Sequence, residues 1–364
     1  MNNNFLLKAI PLTLLLAISC SDRQDRSNHI TKINDLSKVD SYELKGLEIL
    51  QDEINVISLH VVDTLLIIEL LEKKEWAYKV FSLNSRAFLG YLGKMGDGPN
   101  EFKRPRLSDQ NVVDSTNTAI WINDPGKERF LLLDVLGSLN QPENKILFSK
   151  DYEGSLGISQ SLFAINKNEW VGSLGPAAEQ FGRFLRKDLT NNTTEIIPVN
   201  YIVDNDHILN RQDLYGINFH HAAIKPDKGK VVSLSNHLSR VDIYKTQPKL
   251  KLENSGLLLG EKHDNLDGMT YMKNYREVTN YYMDVSVTDD KIYALYHGQP
   301  VVEYAKNLIP TQIRVFDWEG HLLSILNVPD YLITLTVDES KNSIYGVAFF
   351  EEKIMKYDFD LSSL

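Results

Sequence analysis

A recurring strand pattern constrains this 364-residue chain more than any other feature. An apolar strand leads through an Asp/Asn/Lys-rich turn into a second strand, and a third strand then crosses a polar turn into a fourth. The first unit reads as strands at 54–62, 64–70, 76–83 and 86–92. The second shows 107–113, 118–122 and 129–134, and the third 161–165, 170–172, 182–186 and 194–198. The fourth has 219–224, 231–234 and 239–244; the fifth 283–287, 292–295, 312–317 and 321–326; the sixth 332–337, 344–348 and 353–358.

Six such units, at a spacing of roughly 40 to 70 residues, predict an all-β, six-bladed β-propeller of four-stranded antiparallel blades. The sixth unit has three convincing strands, and a spare strand at 39–45 is expected to supply its outer member and close the ring. A long β-sandwich is the structural alternative, but it needs no repeated four-strand unit. With 43% hydrophobic and 24% charged residues the chain can build a real core, and tyrosine, its commonest aromatic, suits half-buried strand faces. Few stretches look helical; 267–282 is expected to hold a turn or two within a long connection.

The N-terminus lies outside the fold. Residues 1–8 are polar and weakly basic, and the apolar run 9–18 is too short to span a bilayer comfortably. The run ends in Ala17-Ile18-Ser19-Cys20, which resembles the lipobox of bacterial lipoproteins, with Ala17 where Leu is more usual. The expected organisation is a lipoprotein signal peptide over 1–19, lipidation at Cys20, a flexible polar tether over 20–38 and the propeller over 39–364. The alternative is an ordinary secretory signal with an incidental cysteine. Cys20 is the only cysteine, so no internal disulfide is available and the fold rests on packing alone.

The stretch from Gly90 to Pro105 first suggests a phosphate-cradling loop, because of its glycines. A phosphate loop would open a helix, whereas here Pro105 and a strand follow, so the stretch reads as a joint between blades. Its run Leu92-Gly93-Lys94-Met95-Gly96-Asp97-Gly98-Pro99-Asn100-Glu101-Phe102, followed by Pro105, resembles the inter-blade signature of NHL-type propellers. With the lipobox and six degenerate units, the chain resembles the TolB-like, six-bladed propeller lipoproteins of Bacteroidetes. That resemblance implies a fold and an envelope address, exported and lipid-anchored to the outer membrane on its periplasmic or surface side, rather than a mechanism. In the joint, Phe102 is expected to pack between blades and Glu101 to accept backbone N–H bonds.

In a propeller the first strand of each blade lines the channel, and blade-to-blade connections gather with the second-to-third-strand loops on one face. The insertions 140–159, 199–218, 253–282 and 297–310 should therefore crowd one rim, where loops on a rigid scaffold carry binding. Candidate ligand-binding residues at the channel mouth are Arg104, Arg106, Asp109, Gln160, His220, His221, Asp284 and His297. Gln110, Gln299, Tyr271, Tyr275, Tyr281 and Tyr282 are further candidates for a polar-aromatic pocket. His220 and His221 are adjacent in a strand and point to opposite faces, so at most one faces the channel and a two-histidine metal clamp is not expected. Asp284 and Asp109 together could hold calcium, a cation that prefers several oxygen ligands. Lactonase-type propellers use a carboxylate and amide ring in that way, but the six inner strands supply no convincing ring.

No Gly-x-Ser-x-Gly elbow, Walker loop, HExxH or CxxC motif is present. A net charge of −10 without a basic stripe argues against nucleic acid as a partner. The expected function is a non-catalytic cell-envelope lipoprotein whose loop-rich face binds a ligand or an envelope protein, with no catalytic residues. The alternative is a calcium-assisted hydrolase or lyase with its site in the channel; a purely structural subunit is not separable from the first reading.

Overall fold

The computed structural model describes residues 30–33, 36–153, 158–199, 211–258, 275–304 and 310–360. Three short strands come first: β1 (Ile30–Ile33), β2 (Asp40–Glu43) and β3 (Gly46–Ile49). Blade I then holds β4 (Val56–Val62), β5 (Leu65–Leu70), β6 (Trp76–Ser82) and β7 (Phe88–Lys94). Blade II holds β8 (Arg106–Val113), β9 (Thr118–Asp124), β10 (Arg129–Asp134) and β11 (Ile146–Asp151). Blade III is β12 (Ile158–Asn166), β13 (Glu169–Leu174), β14 (Phe184–Asp188) and β15 (Thr193–Ile197). Blade IV is β16 (His220–Ile224), β17 (Lys230–Ser235), β18 (Arg240–Lys245) and β19 (Lys251–Leu258). Blade V is β20 (Thr279–Val287), β21 (Lys291–Pro300), β22 (Thr311–Asp317) and β23 (Leu322–Val328). Blade VI combines β24 (Leu332–Asp338), β25 (Ser343–Ala348) and β26 (Lys353–Asp358) with the early strand β3.

The first strands β4, β8, β12, β16, β20 and β24 touch one another in cyclic order and close a ring. The expected six-bladed propeller is the observed fold. Its core is not a single centre. Six apolar clusters each lie between two adjacent blades, because a blade in a ring buries both faces of its sheet. This explains why β5 reads Leu-Leu-Ile-Ile rather than alternating, with Leu65 to Ile68 all buried.

Ring closure differs from the expectation in which strand performs it. The segment 39–45 does not complete blade VI; β2, within it, runs parallel to β23 on the outer edge of blade V. The closing strand is β3, antiparallel to β26, with Ile49 opposite Ile354 and Gly46 opposite Tyr357. Gly46 is required there, since a Cβ would come within 2.8 Å of both Met355 and Tyr357. Upstream, β1 lies inside the stretch expected as a tether and pairs parallel with β19 on blade IV. Three N-terminal strands thus cover the outer edges of three successive blades, which keeps those edges from pairing with other chains. Residues 1–29, including Cys20, lie outside the described residues.

Two outer strands were hidden in stretches expected as connections. β11 falls within 140–159 and β19 overlaps 253–282. An outermost strand has little to bury, and Ile146–Asp151 is mostly exposed, so alternation fades just where a blade ends. A short helix, Arg211–Ile217, occupies the end of the 199–218 connection. Of the helical turns expected in 267–282, a single 3-10 turn is described, Tyr275–Glu277, before β20 begins at Thr279.

The joint at Gly90–Pro105 behaves as its residue types suggest. Phe102 is fully buried in the cluster shared by blades I and II. Its N–H donates to Lys94 O at 2.9 Å, and its carbonyl accepts from Gly96 N at 2.9 Å. Glu101 Oε2 accepts from Gly98 N at 2.8 Å. From blade II, Asp124 receives the N–H groups of Lys103 and Arg104, while Lys127 and Arg129 donate to carbonyls of the joint.

Candidate functional site

The channel wall gathers polar residues from four inner strands. On β4, Ser58 and His60 share one face. The Ser58 hydroxyl donates to Glu69 Oε2 at 2.9 Å, so its oxygen is left to accept from His60 Nε2 at 3.2 Å. Glu69 in turn binds Lys73, which reaches Pro105 O at 2.7 Å beside the joint. On its other side His60 Nδ1 lies 3.0 Å from Asp109 Oδ1 on β8; the carboxylate stands off the N–H axis, so the contact is an ion pair rather than an aligned hydrogen bond. Burial alone would push His60 down; Asp109, then Glu69 and Asp284, outweigh it and hold the imidazole above its ordinary value. His60 and Asp109 border a small channel cavity of about 90 Å³ with Ser108, Asn111, Ser286 and Thr336.

Asp284 lies on β20. Its carboxylate accepts from Thr334 Oγ1 at 2.6 Å, Leu335 N at 2.9 Å and Val285 N at 2.9 Å, tying blade V to blade VI. Burial, and then the charge of Asp109, raise it to about 6 despite those donors. Asp109 and Asp284 therefore share a field but not a ligand site. Asp284 Oδ2 is committed to blade VI and Oδ1 to Val285 N on its own strand, while Asp109 is committed to His60. Among the described residues no three His, Cys, Asp or Glu side chains form a metal-sized group. This donor set does not fit calcium.

The other sequence-predicted residues divide between channel, core and rim. His220 is buried between blades III and IV, 3.2 Å from Ser173 Oγ and edge-on to Phe184 at 5.2 Å. Its neighbour His221 instead responds to Asp109, His237 and His297, and burial drives it down to about 4. The pair splits across the strand as its geometry requires. Gln110 is no pocket residue, because both ends of its amide clamp Ala164 on β12, at 2.7 and 2.8 Å. Tyr281 and Tyr282 belong to the core between blades IV and V, and Gln299 is buried. Arg104 and Arg106 are exposed on the joint side of β8. Gln160 lies on β12 and Tyr275 in the 3-10 turn, with side chains outside the described residues; Tyr271 is wholly outside them.

His297 leads to a site the sequence reading missed. It lies on β21, 7% exposed, with Nε2 donating to Leu332 O at 2.8 Å and Nδ1 accepting from the Tyr331 hydroxyl at 3.1 Å. The Tyr331 ring packs against Phe350 at 5.1 Å, and Phe350 meets Phe349 edge-on at 5.4 Å. The two phenylalanines sit in the turn between β25 and β26, on the loop-rich face, where Phe349 is 53% and Phe350 42% exposed. They line a groove of about 440 Å³ between blades VI and I with Val56, Leu71, Ile333 and Val347. Two adjacent phenylalanines in a turn are the sequence signal, since turn positions ordinarily favour Gly, Pro, Asn, Asp and Ser. For His60 the signal was the polar pair at i and i+2 in an otherwise apolar strand.

The ring, the joint and the edge-covering strands define a class: a six-bladed β-propeller whose loop-rich face carries an apolar groove. Over residues 225–340 the chain matches the family described as TolB-like 6-blade propeller-like, as the sequence resemblance implied. No curated protein matches it in sequence. Among solved structures it is similar to a member of the DUF4221 family from Bacteroides vulgatus ATCC 8482, at 12% identity and a TM-score of 0.56, covering 89% of this chain and 98% of that one. It is also similar, at 12% identity and a TM-score of 0.53, to a Bacteroides fragilis NCTC 9343 protein described as exported, covering 90% of this chain and 98% of that one. At such identities the likeness shows the fold.

Proposed function

We propose that the protein is an exported, lipid-anchored envelope propeller that binds a neutral apolar or aromatic ligand in the groove between blades VI and I, without catalysing a reaction. One observation carries this reading. Of ten large apolar side chains exposed among the described residues, Leu71, Phe349 and Phe350 line this one groove, and Ile54 adjoins its Asn55 edge. Surface hydrophobes scattered singly need no explanation, but a cluster around a concavity does. The volume falls within the roughly 300–1,000 Å³ of small-molecule sites. Its charged edge residues are Glu352 and Lys353, and Lys353 is held by Glu48 at 2.8 Å. That leaves no unpaired cation to recruit an anion, and the mostly apolar lining favours a neutral occupant.

The apolar run 9–18 and Cys20 support export and lipidation, and the likeness to a protein described as exported supports export alone. Among the described residues no helix is long and apolar enough to cross a membrane. A calcium-assisted reaction finds no support in the donor set described above.

Nile red, a neutral apolar dye, tests the groove. It should bind the wild type at one site, and Phe349→Ser with Phe350→Ser should weaken it at least tenfold while thermal unfolding stays cooperative. Dye binding that survives both substitutions unchanged would refute the reading. A dye that binds nowhere, with hydrogen-exchange protection of 349–353 by an envelope protein, would replace the small ligand with a protein partner.

A further inference from the structure

The same blade VI–blade I seam holds a second cavity, and its chemistry is opposite. This cavity, of about 240 Å³, lies toward the face away from the loop-rich rim, where the β6–β7 turn meets the β24–β25 turn. Its floor is apolar: Ile49, Leu66, Phe81 and Tyr345 are all buried. Its rim carries three cations, Arg86, Lys341 and Lys356. No carboxylate lines it.

The three cations are not equally available. Lys356 pairs with Asp358 at 2.5 Å, and Lys341 stands 3.7 Å from Asp338. Arg86 acts on Asp358 and Tyr345 only through space, and among the described residues no hydrogen bond or ion pair holds its guanidinium. An open groove adjoins the cavity and shares Arg86. Two of its carboxylates are already taken, Glu48 by Lys353 at 2.8 Å and Glu53 by Lys79 at 2.5 Å; the third, Asp52, forms no ion pair with Arg86. The cavity thus has one planar, multidentate cation without a direct ion pair among the described residues, over an apolar floor and with two lysines beside it. A guanidinium of this kind matches phosphate and carboxylate geometry. Arg86 also holds φ at +58°, a conformation in which a non-glycine residue is uncommon.

We infer that this cavity is a binding site for a small amphipathic anion: an anionic phosphate ester or a carboxylate on an aromatic or short aliphatic body. The apolar floor takes the body and Arg86 takes the charge, with Lys341 and Lys356 raising the local potential. The volume lies below the roughly 300–1,000 Å³ usual for drug-sized ligands, which limits the body to about a phenyl ring or a short chain. The same chemistry could be offered free in solution or as a lipid headgroup at a membrane surface.

Calorimetric titration with phenyl phosphate and with inorganic phosphate, and flotation with vesicles of phosphatidylglycerol or of phosphatidylcholine, separate these sources. Phenyl phosphate should bind the wild type at least tenfold more tightly than inorganic phosphate. Arg86→Gly, which the positive φ favours, should lower that affinity at least tenfold without lowering the unfolding temperature, and Lys341→Gln should lower it less. Arg86→Lys should retain part of it. Flotation with phosphatidylglycerol but not phosphatidylcholine, lost in Arg86→Gly, would identify the lipid headgroup as the source and support the same site. The inference is overturned if neither phenyl phosphate nor the anionic vesicles bind, or if Arg86→Gly leaves their binding unchanged. Nile red in the opposite groove should be indifferent to Arg86→Gly, so the two proposals stand or fall separately.

Discussion

His297 is held neutral by its surroundings, and the consequence can be measured. Its ring accepts from Tyr331 and donates to Leu332 O, an arrangement that fits one neutral tautomer; burial lowers it to about 4 against an ordinary value of 6.5, with the bond to Leu332 O opposing the shift only in part. The unfolded chain therefore binds a proton between those values that the folded chain refuses. Stability from this group is complete above pH 6.5 and is lost as pH falls through that window toward 4. Integrated from pH 7.5 to 4.5, the loss is at most about 2.5 kcal/mol. His297→Phe removes the titration but leaves Leu332 O and the Tyr331 hydroxyl without this partner, which costs about 1–3 kcal/mol at neutral pH. Urea unfolding across pH 4.5–7.5 should show the variant weaker than wild type at pH 7.5. The gap should close toward pH 4.5, by up to about 2.5 kcal/mol. A constant gap would refute the claim that the fold holds His297 neutral. Because Tyr331 supports Phe350, the variant should also weaken Nile red binding.

Other groups set the background for that measurement. Burial likewise lowers His220, His221 and His237, so each adds to acid lability in the same direction. Asp284 opposes them. Its folded value of about 6 lies above its ordinary one, so its stabilising share is present at low pH and is lost as pH rises through about 6. Partly open to the channel, Asp284 offsets the histidines only in part. The comparison of His297→Phe with wild type cancels these terms, except for a coupling to His221.

Two further outcomes follow from the joint and from the N-terminus. Phe102→Ala empties a fully buried site between blades I and II and should cost about 3–5 kcal/mol in urea unfolding; a loss below about 1 kcal/mol would mean that the joint is not a packing element. Cys20→Ala should move the expressed protein from the detergent phase to the aqueous phase on Triton X-114 partition, and an unchanged partition would remove the lipid anchor from the proposal.

Legibility in the sequence followed burial. The inner three strands of each blade bury residues toward two neighbours, and their apolar runs were readable; β11 and β19 bury little and vanished into their connections. Segment 39–45 is the expected closing strand because it is a spare strand where the sixth unit lacks its outer one. The chain instead uses Gly46–Ile49, whose fitness lies in a missing Cβ under Tyr357 rather than in alternation. For the site, residue type misled where a polar group satisfied the backbone. Gln110 looked like a channel ligand and is a clamp on Ala164, and Tyr281 and Tyr282 looked like pocket aromatics and are core. The groove and the cavity were invisible for another reason: both are made by residues nearly 300 positions apart, which only ring closure brings together.

That closure gives a physical reason why the candidate sites share one seam. Consecutive blades are joined by chain all round the ring, and a joint such as Gly90–Pro105 is fastened by Phe102, Asp124 and Arg129. Between blades VI and I the connection is β3 followed by residues 50–55, which lead into β4, with Leu50 and Asn55 at positive φ. The packing cluster there leaves open ends on both faces, and the groove of about 440 Å³ and the cavity of about 240 Å³ occupy those ends. Ile49 and Ile354 form a cross-strand pair between them: Ile49 lines the cavity and Ile354 lines the groove. A ligand at either end therefore presses on the strand pair that closes the ring, and by linkage its binding free energy adds to the stability of closure.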